Sequence, residues 1–456
     1  MKSEYIDVAI VGAGLSGLCV AEFLKKLSPE LQVRLFEKSP RSGGAVQSMR
    51  DEGFLAEWGP HGFLDNTPES RELLADLDLA DEMQEAPLKR FIRYLCLKGK
   101  LIPVPQRPPD IIKSQIMPFH GKLRALADLW TAPSAEEQTV AEWVSRRFGK
   151  AVLPLADAVF TGTYAGDIEK LSIDAVMPGI RRLEQETGSV FKAMLKMKKQ
   201  NEGRGLPSMI SFKKGMEQII ETLSKEKNIY LNSPILELAK DQSGWKIYTG
   251  KKWVQAKQLV LALQVNQSLS LLHSINSPPV PSIPEARIIN VVMGFGESAA
   301  IPFGFGYLAP DKEQRFALGA LFSTHMFPGR APEKTVLLEA LVGGRRHPQK
   351  LDLEDNELVE RTYEDLRQLI KLPEAPCFTK ILRPNYGIPQ LERGHLKLQK
   401  WRNTLELEHP GLHICGFGWE GIGMNDVIKA AKAVAQAVSK EQVRSTELAK
   451  AKGVYF

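Results

Sequence analysis

Gly12, Gly14 and Gly17 stand in the order G-x-G-x-x-G between an apolar run, Ile6 to Val11, and a segment with Leu18, Ala21 and Leu24 at helical spacing. Such a turn bends the backbone tightly and brings it close to a pyrophosphate held at a helix N-terminus. Glu37 closes a second strand-like run, Gln32 to Phe36, 20 residues after Gly17, where a carboxylate can accept hydrogen bonds from ribose hydroxyls. The pattern reads as a βαβ nucleotide site; a glycine turn that serves only helix packing is the alternative. A second G-x-G-x-x-G at Gly416, Gly418 and Gly421 follows the strand-like Leu412 to Cys415. Trp419 and Glu420 crowd that turn, and no acid-ended strand follows it, so NAD(P)H is not expected there.

The chain that must position these groups has 456 residues, which points to two or more domains around a shared cleft. It is 43% hydrophobic and 25% charged, the composition of a globular protein. A net charge of +6 is mild: it suits carboxylate substrates or anionic lipid and makes no case for nucleic acid. Cys19, Cys96, Cys377 and Cys415 are scattered, form no C-x-x-C pair and lie in apolar stretches, so buried, reduced and metal-free thiols are expected. Glu4 and Asp7 interrupt any apolar leader, and no run approaches the roughly 20 apolar residues of a spanning helix, so membrane contact would be peripheral or monotopic.

Proline-rich stretches at 103–109 and 278–284 mark crossings between domains. From Asp110 to Gln200 the pattern is helical, with Ile111, Ile112, Ile116, Met117, Phe119, Leu123, Leu126, Leu129 and Trp130 among lysines and arginines. Strand patterns return near Ile229 to Leu238, Trp245 to Tyr248 and Leu259 to Leu263. A last helix from Asn425 carries Ile428, Ala431, Val434, Ala435 and Val438 on one stripe.

Glu37-Lys38-Ser-Pro-Arg41-Ser-Gly43-Gly44 resembles the E-x-x-x-R-x-G-G segment of large flavoproteins of the amine-oxidase type. That resemblance implies FAD, with Arg41 reaching a phosphate or ribose and Gly43 and Gly44 passing beneath the cofactor. No Cys or His attachment motif accompanies it, so the FAD is expected to be non-covalent. Leu412 to Lys429 resembles the C-terminal segment that closes over the flavin in this group, making Gly416, Gly423, Met424 and Asn425 candidate contacts; free N–H groups at that helix start would stabilise a reduced flavin. Asn232 to Leu238 resembles the strand beside the adenine, where the backbone of Ile235 would bond the base; an amphipathic strand with Ile235 in the core is the other reading.

Further segments extend the resemblance over nearly the whole chain: E-W-G-P-H-G-F-L at 57–64, R-Y-L-C-L-K-G-K-L-I-P-V-P at 93–105, T-G-T-Y-A-G-D-I-E-K-L-S at 161–172, L-F-S-T-H-M-F-P-G-R-A-P at 321–332 and Y-G-I-P-Q-L-E-R-G-H at 386–395. They are similar to the bacterial protoporphyrinogen oxidase family. The resemblance implies an α/β (α+β overall) architecture with a Rossmann-like FAD-binding domain (1–90, 205–265 and 400–456). It adds a mixed-sheet substrate domain (91–109 and 266–399) and a helical membrane-binding domain (110–204), in which Lys113, Lys122, Arg124, Lys192, Lys196, Lys198 and Lys199 would meet anionic headgroups.

The implied reaction takes six electrons from a porphyrinogen in successive hydride transfers, with dioxygen as acceptor and no metal. Arg93 matches a propionate-binding arginine, Phe327 an aromatic contact on a pyrrole and Leu308 an aliphatic one; Lys38 and Gly59 join the cofactor candidates, and no residue is firmly assigned to catalysis. His61 follows Gly59-Pro60 where relatives vary, and both proton transfer and plain packing of an imidazole stay open for it. Ala262-Leu263-Gln264 replaces a more usual proline-containing turn. A homodimer and a place in the cytoplasm, or at the cytoplasmic face of the inner membrane, complete the expectations. The rival readings are a coproporphyrinogen III oxidase of the same fold, an amine oxidase or carotenoid desaturase on this scaffold, and a flavin-binding protein without catalysis.

Overall fold

The computed structural model describes residues 4–105, 110, 113–200 and 207–442, with side chains of 196–200 excepted. Ile111, Ile112 and the side chains of Lys196, Lys198 and Lys199 lie outside the described residues. The chain opens on β1 (Glu4–Val11), α1 (Leu15–Leu27) and β2 (Val33–Phe36). The two strands are parallel, with Val8 opposite Val33 and Val11 opposite Phe36. Ile6, Val8, Ala9 and Ile10 of β1 are all buried, an apolar run on both faces that marks a strand covered from two sides. On one side lie α1 and the helix Met424–Ser439, which buries Ile428, Ala431, Val434, Ala435 and Val438. On the other lie the helices Val265–Leu272 and His395–Glu408.

This first sheet has seven strands, in the order Ile229–Tyr230, β2, β1, Trp253–Ala262, Gly244–Tyr248 and Glu237–Asp241, with Leu412–Cys415 also pairing alongside Trp253–Ala262. Segments remote in sequence thus close one nucleotide-binding layer. Between Ile229–Tyr230 and Glu237–Asp241 the chain leaves the sheet: Pro234 lacks an N–H, and Ile235, expected in a strand, belongs to none.

A second seven-stranded sheet runs Phe378–Leu382, Ile288–Gly296, Thr335–Gly343, Gly319–Phe322, Gly306–Leu308, Arg93–Leu97 and Lys100–Pro103. It is mixed, because Gly306–Leu308 and Arg93–Leu97 pair in parallel and the other neighbours are antiparallel. One face packs on the helix Asp355–Arg367 through Leu358 and Leu366. The opposite face meets the hairpin Ser48–Asp51/Phe54–Glu57 at Val292 and Leu337. The α/β architecture with a Rossmann-like sheet and a separate mixed sheet is therefore as the sequence indicates.

The helical layer includes Phe119–Ala125, Val140–Arg147, Leu153–Tyr164, Pro178–Thr187 and Val190–Gln200. Thr139 and Glu142 form a reciprocal cap at the start of Val140–Arg147. Arg147, fully buried, pairs with Asp128 at 2.5 Å and Glu184 at 2.9 Å, so the charges inside this layer are matched. No described helix is long and apolar enough to cross a membrane. Cys19, Cys96 and Cys415 are buried as expected, whereas Cys377 is exposed: it directly precedes the edge strand Phe378–Leu382, outside the apolar layers.

Candidate active site

β1 ends in the glycine turn because Gly12 adopts φ +99°, and a Cβ there would stand 2.7 Å from the Ala262 carbonyl oxygen. Gly17 is needed for a different reason. Its Cβ would lie 1.9 Å from the Gly12 carbonyl oxygen, so it seats α1 against the turn and does not line the cavity. At Gly14 a Cβ would meet no protein atom nearer than Gly44 Cα at 3.8 Å. Packing does not require that glycine; the open space beside it does. The 13-residue α1 has Gly14 as its N-cap, with no side-chain cap and no acid in its first turn, so its N-terminal N–H groups are available to an anion. Glu37 sits at the end of β2, accepting from the N–H groups of Ala13 and Ser39, each at 2.9 Å.

The loop after β2 folds back on this turn through Gly43 N–H to Ala13 C=O, 2.8 Å. Arg41 donates to the carbonyls of Gly44 (2.6 Å) and Ser42 (2.9 Å), so its guanidinium braces the Gly43–Gly44 loop. Lys38 lines the cavity with its ammonium 5.3 Å from the Tyr386 ring centroid. Gly59 passes under Ala45, whose carbonyl oxygen a Cβ would approach to 2.1 Å. Ile235 also lines the cavity, between Ser233, whose N–H binds Glu37 C=O, and Leu236, whose N–H binds Tyr248 C=O.

The C-terminal segment differs from the expectation at three points. Gly416 is off the cavity, because φ +125° turns it against Leu263, whose carbonyl oxygen a Cβ would approach to 2.2 Å. Gly423 caps the helix Met424–Ser439, but Asp426 in the first turn accepts from the Gly423 N–H at 3.3 Å, so these N–H groups are not all free. Met424 and Asn425 line the cavity, yet the Asn425 amide donates to Leu64 C=O and Asn66 Oδ1, both at 2.8 Å, and anchors the helix to that loop.

The cavity measures about 3290 Å³, well above the roughly 300–1,000 Å³ of an ordinary single-ligand pocket. It runs from the glycine turn to the second sheet and the helical layer, a volume large enough for a dinucleotide and a second molecule side by side. The second-sheet wall is apolar at Leu95, Phe305, Leu308 and Leu321, and the helix Leu153–Tyr164 adds Phe160 and Tyr164 beside it. Arg93 stands in it half-buried, with its guanidinium 6.0 Å from the Phe305 ring centroid and its Nε without a partner. Among the described residues no carboxylate pairs with it, and burial pushes its pKa down to about 10. An arginine keeps its proton regardless, so the shift measures a desolvation cost that an incoming anion would offset. Leu308 shares this wall. Phe327 does not: it is 1% exposed and packs beneath it with Phe91, Phe305 and Met326.

A group of polar residues on the same wall carries no local sequence signal. His61 Nε2 lies 2.9 Å from Glu339 Oε2, which also accepts from Asn290 (2.7 Å), while Glu339 Oε1 accepts from Ser323 Oγ (2.6 Å). Beside it Glu57 binds Arg330 at 2.5 Å, Ser48 Oγ at 2.6 Å and the Met216 N–H at 3.0 Å. Burial would raise the Glu339 pKa, but His61, Ser323 and Asn290 outweigh it and hold the carboxyl at about 2. For Glu57 burial prevails over Arg330 and Ser48, and the pKa is raised. No group of three metal-ligating side chains occurs among the described residues.

A Rossmann-type turn, an uncapped helix start and an adjoining chamber against a second sheet define a dinucleotide-binding oxidoreductase. The chain belongs to the flavin containing amine oxidoreductase family, whose profile matches residues 15–439. It is 26% identical to the coproporphyrinogen III oxidase of Bacillus subtilis (strain 168) over 453 residues, covering 93% of this chain and 96% of that one. It is 28% identical to the chloroplastic protoporphyrinogen oxidase of Nicotiana tabacum over 484 residues, 95% and 85% of the two chains. A crystal structure of a "Putative protoporphyrinogen oxidase" from Exiguobacterium sp. 255-15 shares the fold, with TM-score 0.80 and 21% identity over 97% of this chain and all of that one (100%). FAD is the cofactor, and the open cradle at Gly14, the free start of α1 and the Glu37 carboxylate fit it. Bound there, FAD supplies the two-electron oxidation. The chain's own residues around that cradle are an apolar wall with the Arg93 guanidinium set in it.

Proposed function

We propose that this enzyme oxidises protoporphyrinogen IX to protoporphyrin IX, with dioxygen as the electron acceptor. The observation that carries this reading is Arg93, a cation without an acid partner among the described residues, set in an apolar wall of a cavity that adjoins the nucleotide cradle. A tetrapyrrole is a large, flat apolar ring with a carboxylate edge, and it needs both features. The planar guanidinium takes a propionate in two parallel hydrogen bonds, while Leu308 and its neighbours cover the ring.

Coproporphyrinogen III is the second reading, favoured by the similarity to the Bacillus subtilis enzyme. Its four carboxylates would each need a partner. Among the described residues Arg93 is the one arginine or lysine on the wall formed by 88–104, 155–194 and 286–341, which favours the substrate with two. The test is turnover of each porphyrinogen under air by the purified yellow protein, followed by porphyrin fluorescence. Faster oxidation of coproporphyrinogen would reverse the assignment, and no oxidation of either would remove it.

The proposal extends to the membrane. Phe119, Leu123, Leu126, Trp130, Met194 and Leu195 are exposed on segments of the helical layer that pack together, with Arg124 and Lys192 exposed beside them. Such a surface suits one leaflet of an anionic bilayer, with the cations at the headgroups.

A further inference from the structure

We propose that His61, held in position by Glu339, accepts the proton that a substrate N–H releases when a neighbouring carbon gives up hydride. His61 is then a catalytic residue and Glu339 a positioning residue; the inference rests on the porphyrinogen reading above.

The geometry is that of a base with its orienting acid. Glu339 lies on the strand Thr335–Gly343, is 1% exposed, and points one oxygen at His61 Nε2. That oxygen takes the Nε2–H, so the lone pair available for a proton is on Nδ1, which has no partner among the described residues. The His61 side chain keeps 18% of its surface, and it lines the cavity. Asn290 and Ser323 hold the Glu339 carboxylate from two further strands' ends, so the imidazole cannot pull it out of line.

The charges around the ring favour taking up a proton. Three charged groups face it: Glu339, Glu57 from the strand Phe54–Glu57, and Arg330 from the loop before Thr335. Glu57 and Arg330 neutralise each other. The Glu339 charge is left, and only an imidazolium at His61 balances it. Burial opposes that charge, the two carboxylates outweigh burial, and the imidazole titrates above its ordinary value of 6.5. A general base is most effective when its pKa lies near the operating pH.

In each two-electron step a substrate C–H bond breaks and the hydride leaves with both electrons to the flavin. A substrate N–H bond breaks, and its electron pair stays to form the new C=N bond. The proton goes to Nδ1 of His61 and on to solvent before the next step.

The test is anaerobic single-turnover bleaching of the bound flavin by protoporphyrinogen across the neutral pH range, in the parent, His61→Gln and Glu339→Gln. The parent rate should rise with pH through one titration. His61→Gln should lose that titration and fall about 10² to 10⁴-fold, while equilibrium binding of the oxidised porphyrin, read from the flavin absorbance, stays within about twofold of the parent. Glu339→Gln should move the midpoint to lower pH, in step with the His61 ring resonances in NMR. His61→Gln at the parent rate, or with product binding lost in the same proportion as rate, overturns the proton step alone. A His61 titration that Glu339→Gln does not move overturns the positioning role. No bleaching in the parent overturns the substrate reading itself.

Discussion

Arg93 sits at the end of a short strand where an apolar wall would be better served by leucine, and nothing among the described residues neutralises it. A charge-assisted bond to a propionate would offset that cost by about 1.5–3 kcal/mol, so Arg93→Ala should reduce kcat/KM roughly ten- to hundred-fold. If the arginine only binds, KM rises and kcat falls less; if it also sets which carbon faces the flavin, both change. Arg93→Lys should restore part of the loss, since one ammonium cannot copy the planar fork. Steady-state kinetics of flavin-loaded variants decide this, and parent-like constants for Arg93→Ala would remove the residue from the site. Glu339 makes a separate demand on stability. Its carboxyl is held at about 2 in the folded protein against 4.5 for an ordinary glutamate, so its contribution is present above pH 4.5 and is lost as pH falls toward 2. The melting-temperature gap between the parent and Glu339→Gln should therefore be wide at neutral pH and close across that acid window. Arg93 could be singled out in the sequence because a whole segment around it follows a recognisable pattern, and the structure puts it on the cavity wall. The His61–Glu339 pair was not, since 278 residues separate the two and no local period encodes a contact that only the second sheet creates.

Neighbouring glycines in the phosphate turn carry different loads, and substitution separates them. A side chain at Gly14 would extend into the open cradle and leave the protein's own packing alone, so Gly14→Val should fold, keep its cooperative melt and lack flavin colour. A Cβ at Gly17 would collide with the Gly12 carbonyl, so Gly17→Ala should lower stability by about 1–3 kcal/mol or more together with any loss of flavin. Flavin absorbance per protein and thermal melts distinguish the two outcomes. Elements whose pattern is local were readable in advance: β1 from Ile6 is an apolar run broken only by Asp7 and α1 follows a period of 3.6, β2 closing the unit within 33 residues, from Glu4 to Phe36, and the apolar stripe of the last helix repeats every third or fourth residue. Elements whose state depends on distant partners were read less well. Ile235 has a strand-like neighbourhood but falls just short of the strand Glu237–Asp241, and Phe327 has a strand-flanking aromatic's composition yet is covered by Phe91 and Met326. At Gly416 the turn was foreseeable, but its neighbour, the Leu263 carbonyl, was not.

Across the molecule, the two sheets meet at one cavity because segments from both ends of the chain and from its middle complete the first sheet, leaving the second sheet to close the far wall. The helical layer caps the remaining side through Phe160, Tyr164, Met177 and Leu183. That layer leaves uncovered what a domain surface ordinarily hides: Trp130 is 80% exposed and Phe119 68%. Phe119 opens the helix Phe119–Ala125 and Trp130 ends the 3-10 turn that follows it, on either side of Arg124, whose guanidinium donates to backbone carbonyls of Arg146 and Arg147 and meets no carboxylate among the described residues. The pairing of aromatic tips with unneutralised cations suits the boundary between headgroups and acyl chains better than it suits a water-facing or a fully buried helix surface. A membrane there would bring an apolar substrate to the same side as the cavity's helical wall. The protein should therefore float with anionic liposomes, bind zwitterionic ones less, and be released by detergent or high salt, the last because headgroup attraction is screened. Phe119→Ser with Trp130→Ser should weaken flotation at least tenfold, since each large apolar side chain contributes about 1.5–3 kcal/mol on burial, while the melt, the flavin content and turnover of detergent-dispersed substrate stay near the parent. Indifference of the parent to anionic liposomes would exclude this surface as a membrane contact, and a double variant that loses its flavin or its cooperative melt would show instead that the two aromatics belong to the fold.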